Sequence, residues 1–356
     1  MKNLHNYYYK DYFSDIDFSI ITKKEELEKK KKEKKELENK DDPATKNIFL
    51  PNKIKEIKRL EEAIKNIEAE NQNKISGKNK AFTAKGSEGY TQEILKKSNP
   101  PCLSPKSDAN KSDDIIKLKV HYPGLVTGVG IDHEAKIEGE FKLGVHFDWT
   151  HGMPVVYGSS VKGVLREWFK DIYLHGDGNH YEKCGKIEWG DLMMEIFEGA
   201  YGRDIEAEKK KYKEKWEEIV KDNPDKRIYK CHKSIYNRDI FFDAVIIAPD
   251  NKGRILCSDS ITPHGNDPLK NPIPITFLKI APGCTLEFRF KLHESKILFL
   301  DEKGNKVKNV NGEWLAQDFD KKKKKDLFQE ILTTVGIGAK TNVGYGQLKD
   351  LPAKSS

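Results

Sequence analysis

The sequence is poor in cysteine. Its five cysteines (Cys102, Cys184, Cys231, Cys257 and Cys284) are odd in number, scattered, and never spaced as C-x-x-C. That argues against a disulfide framework and points to a reducing, cytoplasmic setting. No apolar run approaches the roughly 20 residues needed to span a bilayer, so a soluble chain is expected. The opening residues MKNLHNYYYKDYF are polar and aromatic, unlike a signal peptide. A strong excess of one charge is missing too: 64 Lys/Arg stand against 57 Asp/Glu, for a net +7. Residues 1–112 hold 25 Lys/Arg and 19 Asp/Glu, whereas 113–356 hold 39 and 38, so the excess lies in the N-terminal third. An excess of this size permits nucleic-acid binding without requiring it. No internal repeat is visible.

Residues 1–112 read as a charged, helical N-terminal extension and linker. Residues 23–40 have almost no apolar face, which leaves a solvated helix or a disordered segment. Over 53–70, Ile54, Ile57, Leu60, Ile64 and Ile67 fall on one helical face that should pack against something. A Ser/Lys/Pro/Asn-rich linker is expected over roughly 72–112. The second region, 113–356, opens with an alternating strand over Ile115–His121. A helix follows over Gly158–Leu174, capped by Ser159 or Ser160, with an apolar stripe of Val161, Val164, Leu165, Trp168, Phe169 and Ile172. A charged insertion, 176–238, holds a helix around Ala207–Lys221. Strands are expected over Asp239–Ile247, Ile255–Ser258, Thr285–Leu292 and Ile297–Leu300, then a helix over Lys323–Thr334 and a strand over Tyr345–Lys349. This order fits an α+β, split βαβ, ferredoxin-like arrangement with insertions.

The most informative stretch is TTVGIGAKTNVGYGQL, Thr333–Leu348, where Gly336, Gly338, Gly344 and Gly346 surround Lys340. Glycines let the backbone take positive φ and turn N–H groups toward an anion, and a lysine adds a point charge suited to phosphate. A P-loop is excluded. No glycine directly precedes Lys340, and the order is helix–loop–strand rather than strand–loop–helix. Lys340 and Thr341 are the leading RNA-contact candidates, against a tight turn needed only for packing. Ser159, Ser160 and Lys162 sit at a helix N-terminus, where free N–H groups and the dipole favour phosphate. Two readings stay open for Arg166, RNA backbone or structural ion pair. Two also stay open for Tyr345, base stacking or the core of a strand.

Three motifs carry a family resemblance: Gly158-Ser159-Ser160-Val161-Lys162-Gly163-Val164-Leu165-Arg166, the block Ile261–Phe290, and the glycine loop Gly338–Gly346. From about residue 115 onward the chain resembles the RAMP superfamily of CRISPR systems. Within it, the chain is similar to the sixth Cmr subunit of type III-B effector complexes. At Val155-Val156-Tyr157-Gly158 it departs from the family's usual proline beside the glycine. The resemblance implies a RAMP ferredoxin-like core and a noncatalytic subunit that binds the guide CRISPR RNA. Such a subunit caps the complex backbone near the guide's 3′ end, next to the repeated backbone subunit, its small helical companion and the first Cmr subunit. It also implies a thumb-like loop over about 259–278 facing the guide–target RNA duplex, which brings His264 among the RNA-facing residues.

Enzymatic readings compete. Asp132, beside His133, lies in the loop where related backbone subunits carry a cleaving aspartate, and a carboxylate there is suited to holding a divalent ion. His146 and His151 are the general acid–base candidates of a RAMP endoribonuclease. His175, His180, Cys184, Cys231 and His232 fit no strong zinc spacing. The expectation is no catalysis, no cofactor and no metal.

Overall fold

The computed structural model describes residues 4–39, 43–83, 114–128, 137, 139–150, 152–176, 186–202, 230–262 and 274–352, with backbone alone at 43–46, 81, 201–202 and 230–232. The expected boundary near residue 112, the helix Ala207–Lys221 and residues Asp132, His133, His151, His180, Cys184 and His264 lie outside them. In chain order the main elements are helices α1 (Ser19–Glu38) and α2 (Pro43–Thr83) and strands β1 (Ile115–Val120), β2 (Lys142–Leu143) and β3 (Pro154–Val156). Helix α3 (Gly158–His175) follows, then β4 (Ala244–Ala248), β5 (Leu256–Ile261) and β6 (Ile275–Ile280). The chain continues with β7 (Thr285–Lys291), β8 (Ser295–Leu300), β9 (Ala316–Phe319), α4 (Lys321–Val335) and β10 (Leu348–Asp350). The fold class is α+β. Among the described residues no helix is long and apolar enough to cross a membrane.

The chain divides into two compact units. The first gathers Met1–Ser98, Val126–Pro154 and Pro249–Ala281, and the second gathers Asn99–Leu125, Val155–Ala248 and Pro282–Ser356.

In the first unit, α1 is a helix despite its nearly uniform polarity, because α2 lies alongside it. Lys30 pairs with Glu56 (2.8 Å), Lys53 with Glu33 (2.6 Å) and Lys24 with Glu68 (2.7 Å) across the pair. Surface pairs like these contribute at most about 1 kcal/mol each, so they register the helices more than they hold them. Ile57 and Ile64 of the expected apolar face are buried. Residues 72–83, expected as linker, instead extend α2, and the reason is the N-terminal segment. Tyr8 and Tyr12 are fully buried and stacked at 5.3 Å. The Tyr8 hydroxyl donates to the Phe141 carbonyl (2.7 Å), and Tyr12 Oη accepts from the Phe141 amide (3.0 Å) and hydrogen-bonds Asn79 of α2. Lys78 Nζ donates to the carbonyls of Asp11 (2.7 Å) and Tyr12 (2.9 Å). Asn79 and Lys78 therefore have partners that only a helix continuing past residue 72 presents.

Strands β5 and β6 form an antiparallel hairpin, with Asp259 opposite Phe277, and β6 runs parallel to β2. The expected 259–278 excursion thus begins and ends as paired strand, which corrects both the strand end at Ser258 and the loop's extent; residues 263–273 lie outside the described set.

The second unit carries the ferredoxin-like core. Its strands lie in the order β10-β1-β7-β4-β3, and every neighbouring pair is antiparallel. Taking β1, β4, β7 and β10 as first to fourth gives the 4-1-3-2 order of that fold. β1 alternates as its sequence suggests, with Ile116, Leu118 and Val120 buried. The buried residues of α4, Lys324, Leu327, Phe328, Ile331 and Leu332, repeat at helical spacing and give it one core-facing stripe. Aromatic rings fill the space below: Phe169 lies 5.4 Å from Phe197, and Phe328 lies 5.5 Å from Phe290. On α3 the stripe ends on buried Tyr173, while Trp168 is exposed. Phe197 comes from a π-helical turn, Met194–Glu198, inside the expected insertion, so that segment builds core as well as surface.

Candidate nucleic-acid interface

The glycine loop leaves α4 through Gly336 (φ 73°) and continues through Gly338 (φ 100°) to Lys340 (φ 59°). A short 3-10 turn, Thr341–Val343, leads to Gly344 (φ 95°) and Gly346 (φ 73°). The strand begins at Leu348 rather than Tyr345, because 344–346 are still turning. Two of these glycines are needed for close approach as well as for φ. A Cβ on Gly336 would lie 2.6 Å from the Gly346 carbonyl oxygen. One on Gly346 would lie 2.9 Å from the Ile337 carbonyl carbon and closer still to its oxygen. The two arms of the loop are laced together there, with the Ile337 amide donating to Gly346 O (2.9 Å). The loop is also tied to the turn that follows β1. The Gly346 amide donates to Gly124 O (2.8 Å), and the His121 amide donates to Gln347 O (2.8 Å).

Among the described residues, Lys340 is the one non-glycine residue with positive φ. An L side chain in this region costs about 1–2 kcal/mol, and a residue held there against that cost marks a place where function is worth seeking. Lys340 is half-buried, and among the described residues no carboxylate lies within ion-pair distance of it. Thr341 is half-buried beside it. Tyr345 is 8 % exposed and packs into the unit.

The start of α3 differs from its expected form. The N-cap is Tyr157, without a side-chain cap, and Ser159 and Ser160 are exposed first-turn residues. The cap comes from 85 residues away, where Asp243 Oδ1 accepts from the Gly158 amide at 2.6 Å. A carboxylate of the protein's own thus already meets the positive end of this helix. A Cβ on Gly158 would lie 3.0 Å from the Phe242 carbonyl carbon, so the helix can start here only on a glycine. Lys162 is half-buried, and Arg166, exposed, pairs with Glu198 at 2.9 Å.

The structure does not bring these two sets together. Val156 stands opposite Ala244, and the Phe242 amide donates to Arg289 O, the residue opposite Ile115. The α3 N-terminus therefore sits at the end of the sheet where β1 starts. The glycine loop sits where β1 stops, with Leu348 opposite Val120. Six residues of strand separate the two ends, roughly 20 Å at the usual rise.

Of the acid–base candidates, His146 is described. Its ring packs against Gly128, and burial holds its pKa below the ordinary histidine value. Among the described residues no three His, Cys, Asp or Glu side chains converge as metal ligands.

The RAMP superfamily model matches residues 117–349, from within β1 to within β10 and through the whole glycine loop. The chain belongs to the RAMP superfamily. Among solved structures, this RAMP is similar to a chain of the type III-B Cmr-beta complex bound to cognate target RNA, seen by cryo-EM. That match has 18% identity over 82% of this chain and 74% of the other, with a TM-score of 0.40. It is also similar to the crystal structure of Cmr6 from Pyrococcus furiosus, at 18% identity over 67% of this chain and 97% of that one, with a TM-score of 0.28. None of the curated proteins searched matches it. Within this RAMP, sequence reasoning missed Asp243 as the α3 cap and the turn His121–Gly124 as the loop's partner. No local signal marks Asp243, whereas a turn closing the first strand of a ferredoxin-like order must lie beside the entry to the last.

Proposed function

We propose that the chain is a noncatalytic RNA-binding subunit of a type III-B CRISPR effector, holding the guide RNA backbone through its glycine loop and capping the complex near the guide's 3′ end. The observation that carries this reading is Lys340, held at positive φ in a glycine loop whose arms are hydrogen-bonded together, with no carboxylate partner among the described residues. A cation presented in this way, flanked by turning backbone, suits the repeated phosphates of a nucleic acid. Superfamily membership over 117–349 and the motif block Ile261–Phe290 support the assignment to the effector. Target RNA, the repeated backbone subunit, its helical companion and the first Cmr subunit are the partners in this reading.

The α3 N-terminus has a weaker claim to the guide, since Asp243 already accepts from its first amide and Arg166 is paired with Glu198. The test is photocrosslinking of guide RNA in the reconstituted complex. Lys340→Ala lowers the guide crosslink to this chain while leaving the complex assembled. An undiminished crosslink contradicts the reading. So does cleavage of RNA by the purified chain that Asp132→Ala or His151→Ala abolishes.

A further inference from the structure

The turn after β1, hydrogen-bonded to the glycine loop, holds an exposed aromatic residue. Tyr122 is 77 % exposed. Among the described residues its ring stacks on no other ring and its hydroxyl has no hydrogen-bond partner. Exposure alone singles out nothing, since Tyr236 is exposed to 75 % as well. What sets Tyr122 apart is its frame. On one side, Val120 exchanges hydrogen bonds with residues 283 and 284: its amide donates to Cys284 O and its carbonyl accepts from the Gly283 amide, both at 2.8 Å. On the other, the His121 amide donates to Gln347 O and Gly124 O accepts from the Gly346 amide, again both at 2.8 Å. Pro123, the next residue, lies against Gly344, where an added Cβ would meet its Cδ at 3.6 Å. The backbone around Tyr122 is therefore fixed between residues 283–284, just before β7, and the glycine loop, while its ring stands in solvent.

Building on that reading of the loop, we propose that Tyr122 is the stacking platform of the site and takes an unpaired nucleobase while Lys340 takes backbone phosphate. The other aromatic candidate, Tyr345, is buried and has no free face to offer. A tyrosine suits the task because it offers a flat apolar face with only two side-chain torsions to fix. Stacking is indifferent to base identity, so the ligand class is single-stranded RNA read without sequence preference.

The probe is a fluorescein-labelled 20-nucleotide oligouridine, titrated with the full chain by fluorescence anisotropy at several salt concentrations. Base–aromatic stacking changes affinity by about 5- to 150-fold on alanine substitution. Tyr122→Ala should weaken binding within that range and leave the salt slope unchanged, while Tyr122→Trp restores binding. Lys340→Ala should weaken binding and reduce the salt slope by about 0.7, as expected for one phosphate contact on a single strand. If Tyr122→Ala binds like the parent while Lys340→Ala does not, the stacking platform is refuted and the phosphate loop survives. If neither variant differs from the parent, both are refuted. Because the Tyr122 side chain is exposed, the variant should melt with the parent, and a lowered melting temperature would mean the residue acts through the fold instead.

Discussion

Replacing Gly346 by alanine tests whether the glycine loop is laced as described. Two costs coincide at this position. The backbone has φ 73°, where an L side chain costs about 1–2 kcal/mol. The added methyl would also overlap the Ile337 carbonyl, a backbone group that can yield only by moving the other arm of the loop. Overpacking of this kind costs about 1–3 kcal/mol, for a total of roughly 2–5 kcal/mol. Gly344→Ala separates the terms. Its φ is 95°, yet among the described residues its methyl would meet only Pro123 Cδ at 3.6 Å, an ordinary contact, so the backbone cost of about 1–2 kcal/mol remains. Gly163→Ala is the opposite control. It lies mid-helix in α3, where among the described residues nothing beyond the helix's own backbone comes within 4 Å of a new Cβ, and it should stabilise by about 0.5–1 kcal/mol. Urea unfolding followed by circular dichroism reads all three, with the expected stability order Gly163→Ala above the parent, then Gly344→Ala, then Gly346→Ala. A Gly346→Ala protein as stable as Gly344→Ala would refute the close approach of the two loop arms.

Three further outcomes follow from the same geometry. Lys340→Gly removes the αL cost of about 1–2 kcal/mol against a smaller gain in unfolded-chain entropy, so stability should hold or rise while RNA affinity falls; a large loss of stability would make Lys340 a structural residue. Lys324 and Asp239 form a buried pair at 2.6 Å, with side chains 1 % and 2 % exposed, so Lys324→Met alone should cost about 3–5 kcal/mol by stranding the carboxylate. The double change Lys324→Met with Asp239→Leu should recover much of that loss in the same denaturation assay, and no recovery would contradict the pairing. Burial depresses the pKa of both His146 and His293, so their contribution to stability is full above the unfolded histidine value and is lost as pH falls through the lower folded values. Melting temperature should therefore drop between pH 7 and pH 5, and a flat profile would count against both assignments.

Much of the ferredoxin-like core was legible because its signals are local. The alternation of Ile116, Leu118 and Val120 and the stripe of Leu327, Phe328, Ile331 and Leu332 need only near neighbours. What was not legible depends on distant partners. The N-terminal tyrosines pack because Phe141 lies 133 residues from Tyr8 in sequence, and α2 runs on past residue 72 because Asn79 meets Tyr12 and Gly139. The start of α3 was placed well, but its cap was assigned to adjacent serines because nothing in the sequence ties Asp243 to Gly158. At the candidate site, the glycines and Lys340 stood out by density alone. The partnership of that loop with the β1 turn, and with it Tyr122, required the strand order.

The measurement that bears most directly on the central claim is native mass spectrometry of the tagged chain recovered from its own host. The account predicts a large assembly of several subunits around one guide RNA, from one end of which this chain dissociates. Recovery of the chain alone, or with only short RNA fragments, would contradict it and favour a processing nuclease.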